Sequence, residues 1–218
     1  MSRHAGYGAA ALQRRLGADF SLRTAHQADG ESDLPFRHGR LALGHLGLHT
    51  LTLPACRLQL HGGTGPCLAL PLAGEITLRP ERRGGRPLAA DAGHSAVLLP
   101  EGPFLLRCHG WSEVVLIAIP RQVLEAAMVQ GLPSPLPPAQ RQRLDGRLER
   151  GIQWRANDPL NEPLLGLLHQ TVRVLESGAA ASAPARPLPT GALQECLVRP
   201  LVLLLLQDSP RKIGRAHV

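Results

Sequence analysis

Aromatic residues are scarce in this 218-residue chain: three Phe, two Trp and one Tyr amount to 3%. Leu, Val and Ala must therefore fill whatever core forms, and a single-strand nucleic-acid platform built on stacked rings is excluded. Lysine is nearly missing as well, Lys212 being the only one, so the net charge of +7 and the pI of about 10.5 rest on arginine. A basic chain invites a nucleic-acid reading, but these arginines are scattered through all regions and compose no base-reading helix. Long apolar runs are absent too. The longest aliphatic run, Leu201 to Leu206, falls far short of the roughly 20 residues that cross a bilayer, and the N-terminal MSRHAGYGAAALQRR carries no apolar signal region. The expectation is a cytoplasmic protein with no membrane partner.

Several chemical signatures are also lacking. The four cysteines, Cys56, Cys67, Cys108 and Cys196, have no C-x-x-C spacing and sit in apolar runs, where a free thiol acts as a small hydrophobe in a reducing compartment. No H-x-H pair, G-x-S-x-G elbow or phosphate loop occurs. Ser95 follows His94, but neighbours on a strand face opposite ways. His45 and His49 lie four apart, about 13 Å along a strand, too far to share a metal. His61, His94 and His109 fall at or beside turns, so the histidines read as exposed or loop residues. No catalytic residue, metal ligand or cofactor is expected.

The stretch from Cys67 to Met128 carries the clearest pattern. Leu68, Leu70 and Leu72 lead to Gly74; Ile76 and Leu78 share a face; Arg82-Arg83-Gly84-Gly85-Arg86 makes a charged hairpin. Asp91-Ala92-Gly93 precedes Ala96 to Leu99, Pro100-Glu101-Gly102-Pro103 closes that run, and Phe104 to Cys108 and Val114 to Ile119 follow. Five short strands with regular turns mean a barrel or sandwich. At Pro120 the period changes: Val123, Leu124, Ala127 and Met128 share a helical face.

This order of strand, Gly-Gly hairpin, AGHSAVLLPEGPF, strand and IPRQVLEAA resembles the N-terminal regulatory domain of AraC/XylS-family transcription regulators, in their AraC-binding-like cupin subgroup. The likeness spreads over most of residues 36 to 208. It implies an α+β fold, a cupin-like β-barrel of jelly-roll type followed by a C-terminal helical dimerisation segment. It further implies a small-molecule effector, a homodimer, and DNA binding only through a C-terminal domain that this chain lacks.

Residues 1–35 read as a partly ordered arm with one short helix around Ala9 to Leu16, and residues 36–130 as the effector-binding barrel with its terminal helix. Earlier strands run over Arg40 to Leu46, with Leu41, Leu43 and His45 on one side, then Leu48 to Leu53 and Arg57 to Leu60. Gly131 to Pro138 is a connection. Residues 131–208 read as helical: Ala139 to Ile152 with Leu144, Leu148 and Ile152; Pro159 to Ser177 with a stripe of Leu160, Leu164, Leu168, Val172 and Leu175; and, after the loop Gly178 to Gly191, Ala192 to Gln207, which Pro200 should kink. The last helix is apolar around most of its surface, so Leu193, Leu197, Leu201 and Leu204 are the candidate dimer contact. Packing on the preceding helix is the alternative.

Arg107, His109, Trp111 and Glu113 alternate, so they form the candidate effector site if their face lines the barrel interior, and are solvated residues if it does not. The competing function is a metal-dependent cupin enzyme, and a third is a purely structural dimerisation module. The tail Ile213 to Val218 can be encoded by ATC GGA AGA GCA CAC GTC, which is how a common sequencing-library adapter reads in one frame. Residues 213–218 are therefore expected to be adapter read-through, with the natural gene continuing past Arg211.

Overall fold

The computed structural model describes residues 3–27, 33–82, 85–131, 136–180 and 190–207. The strands are β1 (Arg3–Tyr7), β2 (Phe20–Gln27), β3 (Pro35–Leu43), β4 (Leu46–Leu53), β5 (Cys56–Gly62), β6 (Cys67–Ala73), β7 (Glu75–Pro80), β8 (Leu88–Asp91), β9 (Ser95–Leu99), β10 (Pro103–Cys108), β11 (Ser112–Ala118) and β12 (Ile152–Arg155). The helices are α1 (Ala9–Leu16), α2 (Arg121–Gly131), α3 (Pro138–Arg150), α4 (Glu162–Ala180) and α5 (Thr190–Gln207).

The strands form two antiparallel sheets. One has seven strands in the order β1-β3-β4-β11-β6-β9-β12, the other five in the order β2-β5-β10-β7-β8. Two apolar layers follow from this arrangement. Between the sheets lie Phe20, Phe36, Leu51, Leu58, Leu60, Phe104, Leu106 and Leu116, capped by Leu12 and Leu16 of α1. On the far face of the seven-stranded sheet, Leu48, Leu70, Leu98, Val115 and Ile117 pack beneath α2 to α5. The central strands of that sheet are therefore covered on both faces, and β6 and β9 read as near-continuous apolar runs. The five-stranded sheet is covered on one side only, so β7 and β10 alternate buried with exposed or half-buried residues.

Several local expectations change. The stretch expected as an arm supplies β1, α1 and β2: β1 pairs with β3 and β2 with β5. Strand β3 ends at Leu43, and Gly44 with φ 57° makes the turn that carries His45. Helix α3 stops at Arg150, and Ile152 and Trp154 belong to β12, which hydrogen-bonds to β9. The buried stripe of α4 is Leu165, Leu168, Val172 and Leu175, whereas Leu160 precedes the helix and is exposed. Pro200 lies inside α5, which continues through it without interruption. The Arg83-Gly84 hairpin tip, residues 132–135 and 181–189, and the tail from 208 onward lie outside the described residues. Among those described, no helix is long and apolar enough to cross a membrane.

Candidate functional site

The four residues expected to share a face are divided. Arg107 sits near the end of β10 on the outer face of the five-stranded sheet, exposed, and His109 follows just beyond the strand. Trp111 is 64% exposed at the following turn, and Glu113, half-buried, belongs to β11 in the other sheet. The barrel interior therefore receives neither Arg107 nor Trp111; it is packed with aliphatic and Phe side chains. The reason is parity: Leu106 and Cys108 point inward, so Arg107 must point out.

Arg107 and His109 do share a cleft. Its volume is about 470 Å³, and its walls include His26, Arg57, Cys56 and Cys108. Register builds it. Arg57 of β5 is the cross-strand partner of Arg107 in β10, His26 of β2 is the partner of Arg57, and Thr77 of β7 is the partner of Arg107. The His109 imidazole is held by a 2.8 Å hydrogen bond between its Nε2 and Thr77 Oγ1. Like charges directly opposite each other destabilise a sheet, and neither arginine forms an ion pair with a described residue. Two guanidinium groups side by side suit a carboxylate or phosphate, which each can grip with paired N–H donors.

A second polar cluster, near the opposite end of the sandwich, runs from two buried histidines out to the part-exposed Asp19 and Arg40. His49 of β4 is fully buried and His38 of β3 is 2% exposed. His49 Nε2 lies 2.8 Å from Asp19 Oδ2, and His49 Nδ1 lies 3.0 Å from His38 Nε2. Arg40 donates to the same Asp19 oxygen through two nitrogens, at 3.1 and 2.8 Å. Only one assignment of protons satisfies these bonds with neutral rings: His49 donates from Nε2 to the carboxylate, and His38 donates from Nε2 to His49 Nδ1. Phe20 packs edge-on against the His49 ring, with centroids 5.2 Å apart. Burial, then the neighbouring His49, hold His38 down to about 4. Burial also lowers His49 against the opposing pull of Asp19. Burial alone would raise Asp19, but its bond to His49 and the charges of His49 and Arg40 outweigh it, and the carboxyl stays below its ordinary range.

This cluster corrects the expectation that the histidines are exposed or in loops. His38 and His49 come from neighbouring strands and Asp19 from the turn before β2, so no spacing in the sequence announces them. Gly47 gave one signal: a Cβ there would lie 2.6 Å from Asp19 Oδ2, so only glycine admits the carboxylate at this place. Next to it is a cavity of about 140 Å³ lined by Asp19, His45, Gly47, Thr64 and Pro120. Among the described residues, no group of three or more His, Cys, Asp or Glu could hold a metal ion.

The leucines expected to mediate dimerisation are committed elsewhere. Leu197, Leu201 and Leu204 are at most 2% exposed, packed with α2, α4 and the seven-stranded sheet of their own chain, and Leu193 is half-buried beside them. Gln194 of α5 accepts a 3.1 Å bond from the His45 backbone N–H, tying the helix to the β3–β4 turn. What α5 leaves exposed is Leu203, and α4 leaves Leu167 and Val174.

No family model matches the sequence, and no curated protein matches it. Among solved structures, the AraC-like transcriptional activator CuxR superposes with a TM-score of 0.59 over 98% of this chain and 73% of that one, at 13% identity. The chain shares its fold with that protein. The fold is a cupin-like α+β sandwich with a helical C-terminal part. The EutQ protein of Clostridium difficile (TM-score 0.33, 11% identity, 40% of this chain and 69% of that one) and a Bacillus subtilis oxalate decarboxylase variant (0.32, 18%, 45% and 27%) are also similar, but too loosely to carry an argument. The AraC-like match includes the helices beyond the barrel, since it spans nearly the whole chain.

Proposed function

We propose that this chain is the ligand-binding regulatory domain of an AraC-like transcription regulator, acting by binding rather than catalysis. The observation that carries the reading is the match to an AraC-like activator over 98% of the chain, barrel and helices together. The effector of this proposal is a small anion held in the cleft between Arg57 and Arg107, with His26 and His109 at its sides. DNA would be read by helix-turn-helix units outside the described residues. An effector that binds one arrangement of barrel and helices more tightly than another shifts the balance between them, and the shift cannot exceed that difference in affinity. Homodimerisation would use the exposed Leu167, Val174 and Leu203, because the α5 leucines first considered lie in the core of the protomer.

The test is thermal unfolding in sulfate, phosphate and citrate at constant ionic strength. A site filled to 100 times its Kd stabilises the fold by about 2.7 kcal/mol. The expected result is a concentration-dependent rise in Tm with at least one anion, lost in the Arg57→Gln, Arg107→Gln double variant. An equal rise in the variant would refute the site.

A further inference from the structure

Cys56 opens β5 and Cys108 closes β10, and the two are direct partners in the antiparallel register. Directly opposed residues of an antiparallel pair have Cα atoms about 4.5 or 5.5 Å apart, depending on the kind of pair. Both separations fall within the roughly 4.4–6.8 Å that a disulfide spans. Both side chains point into the sandwich, both are 2% exposed, and both thiols are free. The register therefore sets the two side chains against one another inside the sandwich, while the Ser112 hydroxyl beside them is directed to the Glu75 and Gly110 carbonyls.

We propose that Cys56 and Cys108 are a reversible disulfide site, oxidised by small hydroperoxides. Access comes from the cleft of about 470 Å³, whose wall both cysteines line. The two strands end at this cleft, where Arg57 and Arg107 point outward and the cysteines inward. The two sulfurs are not equivalent. The bond from Cys56 holds the Cys108 thiol below its ordinary value, with burial opposing and Ser112 assisting. The same bond, with burial, pushes Cys56 up. In the proposal Cys108 attacks and Cys56 resolves.

The steps balance. The Cys108 thiolate attacks the peroxide oxygen, the O–O bond breaks, and the departing alkoxide or hydroxide takes a proton and leaves as alcohol or water, giving Cys108 sulfenic acid. Cys56 sulfur then attacks the Cys108 sulfur; the S–O bond breaks, and the hydroxide released takes the Cys56 proton and leaves as water. Two thiols and one hydroperoxide become one disulfide, one alcohol or water, and one water, with two electrons passing from sulfur to oxygen. The other cysteines cannot substitute. Cys67 lies buried in β6 of the opposite sheet and Cys196 is exposed on α5. The inference does not rest on the effector reading, because the sulfurs can join whether or not the arginines bind an anion.

The test treats the full chain with hydrogen peroxide under native conditions, blocks remaining thiols, and maps peptides by mass. The four thiols are expected to fall to two in the unfolded, quenched protein. The intact mass should drop by two hydrogens, with a Cys56–Cys108 cross-linked peptide that dithiothreitol dissolves. The Cys196→Ser variant should behave identically, and Cys56→Ser should instead stop at a sulfenic acid on Cys108. Sulfinic or sulfonic acid on wild-type Cys108 without the cross-link, a link to Cys67 or Cys196, or four intact thiols after treatment would each overturn the proposal.

Discussion

Acidification should weaken this fold well before its carboxylates titrate, and His38 supplies a magnitude. Its ordinary value of 6.5 falls to about 4 in the folded chain. Between those values the unfolded chain binds a proton that the folded chain refuses, so stability rises with pH across that window and is lost as pH falls through it. For His38 alone, the loss relative to neutral pH is about 2 kcal/mol at pH 5 and about 3 kcal/mol at pH 4. His49 and His169 are lowered by burial too and act in the same direction. The bond pattern adds a reason. Protonating His49 puts a hydrogen on Nδ1, facing the hydrogen that His38 already directs there, so His49 cannot charge unless His38 changes tautomer. Asp19, whose carboxyl is lowered from 3.8, contributes stability present above that value and lost only below it, in a separate window. The assay is urea unfolding at several pH values between 7 and 4.5, on the natural chain and on His38→Gln, whose amide can still donate to His49. Wild-type stability should fall by at least about 2 kcal/mol between pH 7 and pH 5, and the variant should lose about that much less. Parallel curves for the two proteins, or an NMR titration placing His38 near 6.5 in the folded state, would refute the reasoning.

Gly47→Ala should displace the Asp19 carboxylate from His49 and destabilise the fold by about 1–3 kcal/mol, because a buried imidazole donor loses its partner; unchanged denaturant midpoints would contradict this. Leu201→Ala should cost about 2–5 kcal/mol, independent of protein concentration, since the side chain belongs to the core of its own chain. Leu203→Ala should cost less than about 1 kcal/mol in the protomer, and sedimentation across a concentration series would show whether it weakens association. Ser95 Oγ is tied to both the carboxyl and the backbone of Asp91, so Ser95→Ala should loosen the β8–β9 turn, read as faster amide exchange from Asp91 to Ser95.

Much of the barrel was legible because the five-stranded sheet is covered on one side. Ile76 and Leu78, or Phe104 and Leu106, alternate with polar residues for that reason. Strands β1 and β2 escaped notice because they lie at sheet edges and carry polar residues such as Arg23, His26 and Gln27. Strand β12 has only four residues and adjoins a helix, so its Ile152 and Trp154 merged with the helical pattern before it. The α4 stripe slipped by one turn's start because Leu164 and Leu165 are adjacent leucines and Pro159 suggested an earlier beginning. The sites demand more than any local pattern holds. Arg57 meets Arg107, and Cys56 meets Cys108, only because β5 pairs with β10, a strand distant in the chain. Arg107 and His109 both border the cleft, but its other walls come from β2 and β5 rather than from Trp111 and Glu113.

Strand β12 has a mechanical consequence. It leaves α3, joins the edge of the seven-stranded sheet beside β9, and leads into α4. His169 of α4 adds a second tie, 3.1 Å from the Ser95 carbonyl at the start of β9. Helices on both sides of β12 are thus hinged to one barrel strand by backbone bonds rather than strung from it by a tether. A tilt of β9 would therefore bear on α3 and α4 together, through β12 and through His169.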